Sequence, residues 1–275
     1  MPFDTLNDLP TRWILGVIAA TVIALAAMRA RALTPSGAIA TLVVGTIVVA
    51  GGGWWSGLLL ILFFVTSSAL SVASKRRRAR VAQHKGSQRD HIQVLANGGV
   101  AVIAAILALV TGHDSWIVAL AASLAAANAD TWATEIGRLG GQTPRLITTG
   151  RPVPSGTSGG ISLAGTIGAF AGALLIGLVA GIGVGIGAIS FHGRALEVGV
   201  IVTLAGFLGC LGDSLIGATI QATYRDPRSG DLTESPVDPD SGQANMHVRG
   251  IVGISNDVVN ISAIVIATII AIILI

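Results

Sequence analysis

Charged side chains are scarce in this chain. Asp, Glu, Lys and Arg make up 11% of its 275 residues, against about 25% in soluble globular proteins. With 52% hydrophobic residues and a mean hydropathy of +0.77, folding alone cannot hide the apolar surface from water, which leaves lipid as the solvent. Cysteine is nearly missing. The lone Cys210 excludes an internal disulfide and a cysteine-based metal site, and its apolar setting reads as a small buried hydrophobe. Residues 1–10 hold Asp4 and Asp8 but no Lys or Arg. A basic start to a cleavable signal is therefore lacking, and the first apolar run is expected to stay as a helix. Walker A loops, kinase catalytic loops and zinc signatures are absent too. His84, His91, His113 and His192 show no metal-ligand spacing.

What is present is a series of long apolar runs. A membrane span takes roughly 17–25 such residues. Eight candidates follow: 12–28, 36–51, 54–74, 92–111, 115–136, 160–189, 196–223 and 251–275. The second is short and flanked by glycines, so a tilted, broken or re-entrant segment is expected. The fold class is thus an all-α polytopic membrane protein of about eight helices, one integral domain over 1–275. The connecting loops 75–91, 137–159 and 224–250 share one side.

Fifteen of the seventeen Lys and Arg residues fall on that side, leaving Arg12 and Arg194 opposite. The positive-inside rule makes the basic side cytoplasmic and puts both termini outside. It also accounts for the pI near 9.7 without nucleic acid. The basic run 75–80 has no interleaved aromatic residue and reads as a topology anchor on anionic headgroups.

Ionisable residues inside spans are costly and mark function. Asp130 and Glu135 in the fifth candidate span, Asp213 in the seventh and Asp257 in the eighth all lie toward the basic end. In NADTWATEIG (128–137), Asn128, Thr131 and Glu135 share a helix face, and Asp130 points elsewhere unless the helix loosens. Interhelical hydrogen bonding, or a buried ion pair with an Arg, is one reading of this segment. A hard-oxygen site for Mg²⁺ is the other. Asp213-Ser214 echoes Asp130-Thr131. The segment 156–160, GTSGG, opens into the sixth candidate span and would offer backbone N–H groups and a helix N-terminus to phosphate, with Arg151 or Arg145 as a clamp. An ordinary loop with a helix cap is the alternative. Gly177, Gly181 and Gly185 read as close helix packing. The polar stretch 224–248 is expected to be a mobile segment, with a lid as one role.

Four ordered segments carry a family resemblance: QVLANGG (93–99), ADTWATEIG (129–137), GTSGGIS (156–162) and GDSLIGA (212–218), with Gln221 beyond. Together they resemble the transmembrane protein 19-like family, which includes the phytyl-phosphate kinase of plants and cyanobacteria and is distantly similar to CTP-dependent dolichol and phytol kinases and to CDP-diacylglycerol synthase. The resemblance implies transfer of a phosphoryl group from CTP or ATP to a prenyl monophosphate such as phytyl- or geranylgeranyl-phosphate. Asp130, Glu135 and Asp213 are then the catalytic and Mg²⁺-holding residues. Asn97, Arg151, Gly156, Thr157, Ser158, Gly159, Gly160, Ser214, Asn256 and Asn260 would bind nucleotide or phosphate, with Arg89 and Arg138 compensating charge. The partners expected are a prenyl-phosphate lipid, a nucleoside triphosphate, membrane lipid and a second copy in a homodimer. The site is placed on the cytoplasmic face of the inner membrane. A lipid-phosphate cytidylyltransferase and a lipid or small-molecule transporter are the alternatives.

Overall fold

The computed structural model describes residues 8–79, 88–189, 191–230, 232–238 and 241–275, with the side chains of 75–79 outside the description. The side chains of the basic run 75–80 therefore lie outside the described residues, as do Lys85 and Asp4. The described chain forms seven helices: α1 (Leu9–Arg29), α2 (Pro35–Ala79), α3 (His91–Thr111), α4 (Ser115–Gly140), α5 (Leu163–Gly185), α6 (Ala195–Thr219) and α7 (Asn256–Leu274). Six are long and apolar enough to cross a membrane; α4, whose last turns are polar, is not among them.

Local chemistry sets the helix ends. The Asp8, Asp90, Ser162 and Ser255 side chains accept from backbone N–H groups three residues on, at 3.0–3.4 Å, the N-cap arrangement. Gly112 and Gly141 close α3 and α4 in the left-handed conformation, where glycine pays no Cβ penalty. These caps correct several expected boundaries. The helix expected from residue 160 begins at Leu163. The one expected to reach 223 stops at Thr219, and the last begins at Asn256 rather than 251.

α2 is two helical stretches divided at Gly53, whose φ of 78° and ψ of 172° are non-helical. The chain doubles back there: a Cβ on Gly57 would approach the Val49 side chain at 2.6 Å, although eight residues of continuous helix would separate them by about 12 Å. The first stretch runs against α1, where Gly45 meets Ala20, and along α3, where Gly98 meets Val44. The second stretch runs beside α4.

α4 is the centre. Every residue from Val118 to Ala129 is buried, because α2, α3, α5, α6 and α7 all pack on it. Small residues permit this closeness. A Cβ on Gly165, Gly168 or Gly172 of α5 would sit 2.9–3.1 Å from a backbone carbonyl of α4. Gly177 and Gly181 of α5 fit against Gly199 and Ala195 of α6 in the same way.

Two of the loops at the basic end carry short strands. β1 (Arg145–Leu146) pairs with β2 (Gly160–Ile161), and β3 (Thr223–Arg225) lies between β4 (Leu232–Thr233) and β5 (Met246–Arg249). The stretch expected to be mobile is thus a small antiparallel sheet, closed further by the Arg228–Asp238 ion pair.

Candidate functional site

A cavity of about 1410 Å³ opens among the helices at the basic end and continues between α1 and α2. Its polar end collects residues far apart in sequence: Arg31 after α1, Arg89, Gln93 and Asn97 before and on α3, Asp130, Glu135 and Arg138 on α4, residues 155–162, Asp213 and Ser214 on α6, Glu234, and Asn256, Asp257 and Asn260 on α7. The candidate residues named from the sequence line it except Arg151, its alternative Arg145, and Asn128.

Arg151 is exposed and absent from the lining. The turn at 147–150, closed by Gly150 N–H donating to the Leu146 carbonyl at 2.8 Å, carries it to the outside. Arg145 is also turned away, its guanidinium donating to the Gly150 carbonyl. Among the described residues, the cations at the cavity are Arg31, Arg89 and Arg138. Arg89 is fixed by backbone: its N–H donates to Ala32 and its carbonyl accepts from Thr34. Its guanidinium stands 5.9 Å from the Phe64 ring centroid. Burial lowers its pKa from the ordinary arginine value, and the Glu135 charge opposes that shift.

Of the helix face expected to carry the chemistry, Thr131 and Glu135 line the cavity and Asn128 does not. Asn128 is fully buried among neighbours, its Oδ1 accepting from Thr66 and Ser67 and its Nδ2 donating to the Gly172 carbonyl. It is a packing residue. The cavity side of α4 carries Asp130, Thr131, Thr134, Glu135, Gly137 and Arg138. Glu135 accepts from Ser71 at 3.0 Å and stands 3.9 Å from Arg138. That carboxylate is held in a charged cluster with Arg138 and Arg89.

Asp130 and Asp213 sit differently. α4 and α6 run in the same direction with Ala125 beside Gly206 and Ala126 beside Gly209, which brings the two aspartates to one level. They are near enough for their charges to act on each other. With its amide oriented to satisfy both partners, Asn260 donates to Asp213 at 3.1 Å and to the Asn256 carbonyl at 3.3 Å.

Two carboxylates with hydroxyl and amide oxygens around them suit Mg²⁺, which binds through one or two carboxylates and keeps water and phosphate oxygens. Among the described residues, no group of three or more His, Cys, Asp or Glu side chains forms an all-protein metal cage. Asp130 and Asp213, with the Asn260 amide beside them, are the residues that would hold a Mg²⁺ ion.

The GTSGG segment borders the polar end. Thr157 and Gly160 N–H groups donate within the loop, to Pro154 and Thr157 carbonyls, and Ser158 Oγ donates to Gln221 Oε1. Gly159 has φ 77°, and a Cβ there would lie 2.6 Å from the Ala218 nitrogen. The loop is seated directly on α6. α5 begins only after it, capped by Ser162.

Two residues escaped the sequence reading. Arg249 on β5 donates to Ser158 O (3.0 Å), Thr223 Oγ1 (3.2 Å) and Ala218 O (3.4 Å), tying the glycine loop to α6 and the sheet. Glu234, beside β4, reaches into the cavity with its carboxyl held above the ordinary glutamate range by burial, opposed by the Gln221 side chain and Arg138. Neither shows a local signal, because both act through contacts made only on folding.

Comparison with known proteins follows the same lines. Protein PGR of Arabidopsis thaliana is 33% identical over 228 residues, covering 76% of this chain and 79% of that protein. A membrane protein of Methanocaldococcus jannaschii is 30% identical over 222 residues, 80% of this chain and 88% of its own. The chloroplast protein VTE6 of Arabidopsis thaliana is 40% identical over 92 residues, 34% of this chain and 25% of that protein. No solved structure matches. The model of the DUF92 integral membrane proteins matches residues 18–268, and the chain belongs to that family.

Proposed function

We propose that this protein is a prenyl-phosphate kinase of the cytoplasmic face of the inner membrane, transferring the terminal phosphoryl group of CTP or ATP to a lipid monophosphate. The observation that carries the reading is the division of the cavity. Cations and acids face one another at its polar end, while its other end is walled by apolar helix faces. Arg31, Arg89 and Arg138 would hold the lipid phosphate. The glycine loop, Asn97 and the α7 amides Asn256 and Asn260 would orient the nucleotide phosphates.

A Mg²⁺ ion held by Asp130 and Asp213 would neutralise phosphate charge when bound. Glu135 keeps Arg138 and Arg89 in place rather than holding metal. An oxygen of the lipid phosphate forms the new bond to the terminal phosphorus of the nucleotide, and the bond to the bridging oxygen breaks. The nucleoside diphosphate leaves with that electron pair. The attacking oxygen is already ionised at neutral pH, so positioning and charge compensation dominate.

The test is product analysis with purified protein in detergent, Mg²⁺, CTP or ATP, and phytyl- or geranylgeranyl-phosphate. Prenyl diphosphate and a nucleoside diphosphate are expected. Pyrophosphate release with a CMP-lipid would replace the kinase by a cytidylyltransferase. Asp130→Asn and Asp213→Asn should each lower kcat by at least roughly a hundredfold, since the side chain keeps its size but loses the charge that holds Mg²⁺.

A further inference from the structure

The cavity does not end at the polar groups. One face of the second α2 stretch follows it through Ser71, Ser68, Phe64, Ile61, Leu58 and Trp54, a three-and-four spacing along one side of a helix. Its character changes from hydroxyl to hydrocarbon within about two turns. Leu15, Ala19 and Ile23 of α1 and Val44 and Val49 of the first α2 stretch form the other walls. From residue 71 to residue 54 the helix rises about 26 Å. Half a bilayer core is only about 15 Å, so this arm suits a tail longer than one leaflet.

Its far end is built rigidly. Trp54 lies one residue past the Gly53 break and meets the Trp55 ring edge-on at 5.1 Å and 82°. Trp55 is in turn anchored, its Nε1 donating to the Val179 carbonyl of α5 at 2.9 Å. Trp54 is thus the lining residue of this helix face farthest from the polar end, backed by a second ring whose Nε1 is held by α5.

We infer that this arm measures the acceptor: it takes the single hydrocarbon tail of the lipid monophosphate, and Trp54 is the floor that sets the longest tail admitted. The inference rests on the kinase reading for the identity of the head group. An extended chain advances about 1.2 Å per bond, so the arm holds about twenty bonds between the polar end and the ring. A tail that fits loses water along its whole length, and each buried methylene contributes about 0.8 kcal/mol. A tail one isoprene unit too long must fold back or leave its head group short of Arg31 and Arg89.

The experiment compares wild type, Trp54→Ala, the milder Trp54→Phe and Ile61→Trp on prenyl monophosphates of graded length. Trp54→Ala should raise kcat/KM for the acceptor one unit longer than the wild-type optimum by roughly tenfold relative to that optimum. Trp54→Phe should give a smaller shift in the same direction. Ile61→Trp, which fills the arm part-way, should move the optimum to shorter tails. The same ranking of lengths in all four proteins overturns the floor. Binding, read by native mass spectrometry of the protein with each prenyl monophosphate, separates this inference from the kinase reading. Length-dependent binding that shifts oppositely in Trp54→Ala and Ile61→Trp supports the slot even if no phosphoryl transfer is seen. Equal binding of all lengths overturns it, whatever the enzyme activity.

Discussion

Arg249 shows how much of the site depends on one side chain outside it. Its three donated hydrogen bonds end on α6, β3 and the glycine loop, so the loop's position is set by a residue about ninety positions away. Hydrogen bonds from a charged donor contribute about 1.5–3 kcal/mol, and two of these acceptors are backbone carbonyls. Arg249→Met is expected to cost about 2–3 kcal/mol in denaturation in detergent. It should also raise KM for nucleotide more than it lowers kcat, because the loop loosens while Asp130 and Asp213 keep their places. Gly159 is bound up with the same contact. Any side chain there meets the Ala218 backbone, so substituting it would perturb packing before it perturbed phosphate. Gly156, with φ 90° and open space around it, is the position where loop conformation can be probed without a clash.

Among the elements, α2 is the one whose behaviour matters most. Forty-five residues of nearly continuous helical pattern would reach about 68 Å if straight, far beyond a bilayer core of about 30 Å. The Gly51-Gly52-Gly53 run lets the chain turn back, and only Gly53 takes a backbone conformation closed to other residues. Gly53→Ala should therefore destabilise by about 1–3 kcal/mol. It should also displace Trp54 and broaden the choice of tail length, a coupling that thermal unfolding and acceptor profiling on the same preparation would reveal. α4 makes the complementary point. It carries Asp130, Glu135 and Arg138, yet its first half is the most enclosed helix of the molecule. Alanine at seven of the twelve positions from Val118 to Ala129, rather than larger hydrophobes, lets five helices approach it.

At the scale of the whole molecule, the charge split is the ground for the proposed cytoplasmic orientation of the site. The residues that line its polar end lie on the side that carries fifteen of the seventeen basic residues. A cysteine at exposed Arg151 should be shielded from an impermeant thiol reagent in intact cells, and one at exposed His113 should react. Cys210 is buried and should give little background. Labelling at residue 151 from outside would place the polar end away from nucleotide and end the kinase reading.

Composition and the placement of Lys and Arg were sufficient to recognise a helical membrane protein, because transfer from water to lipid sums over residues whatever their neighbours. The gathering of Asp130, Asp213, Asn97 and Asn260 at one end was legible for a related reason: depth along a helix follows from position in sequence. Rotation about the helix axis does not. α4 is surrounded on all sides and has no polar face to point outward, so periodicity alone put Asn128 and Glu135 together and Asp130 apart. Packing buried Asn128 and left Asp130 beside Thr131 and Glu135 on the cavity. The exclusion of Arg151, the arrival of Glu234 and the clamp of Arg249 likewise belong to the tertiary structure. Each depends on a loop's path in space, decided by backbone hydrogen bonds and close helix contacts that no single segment contains.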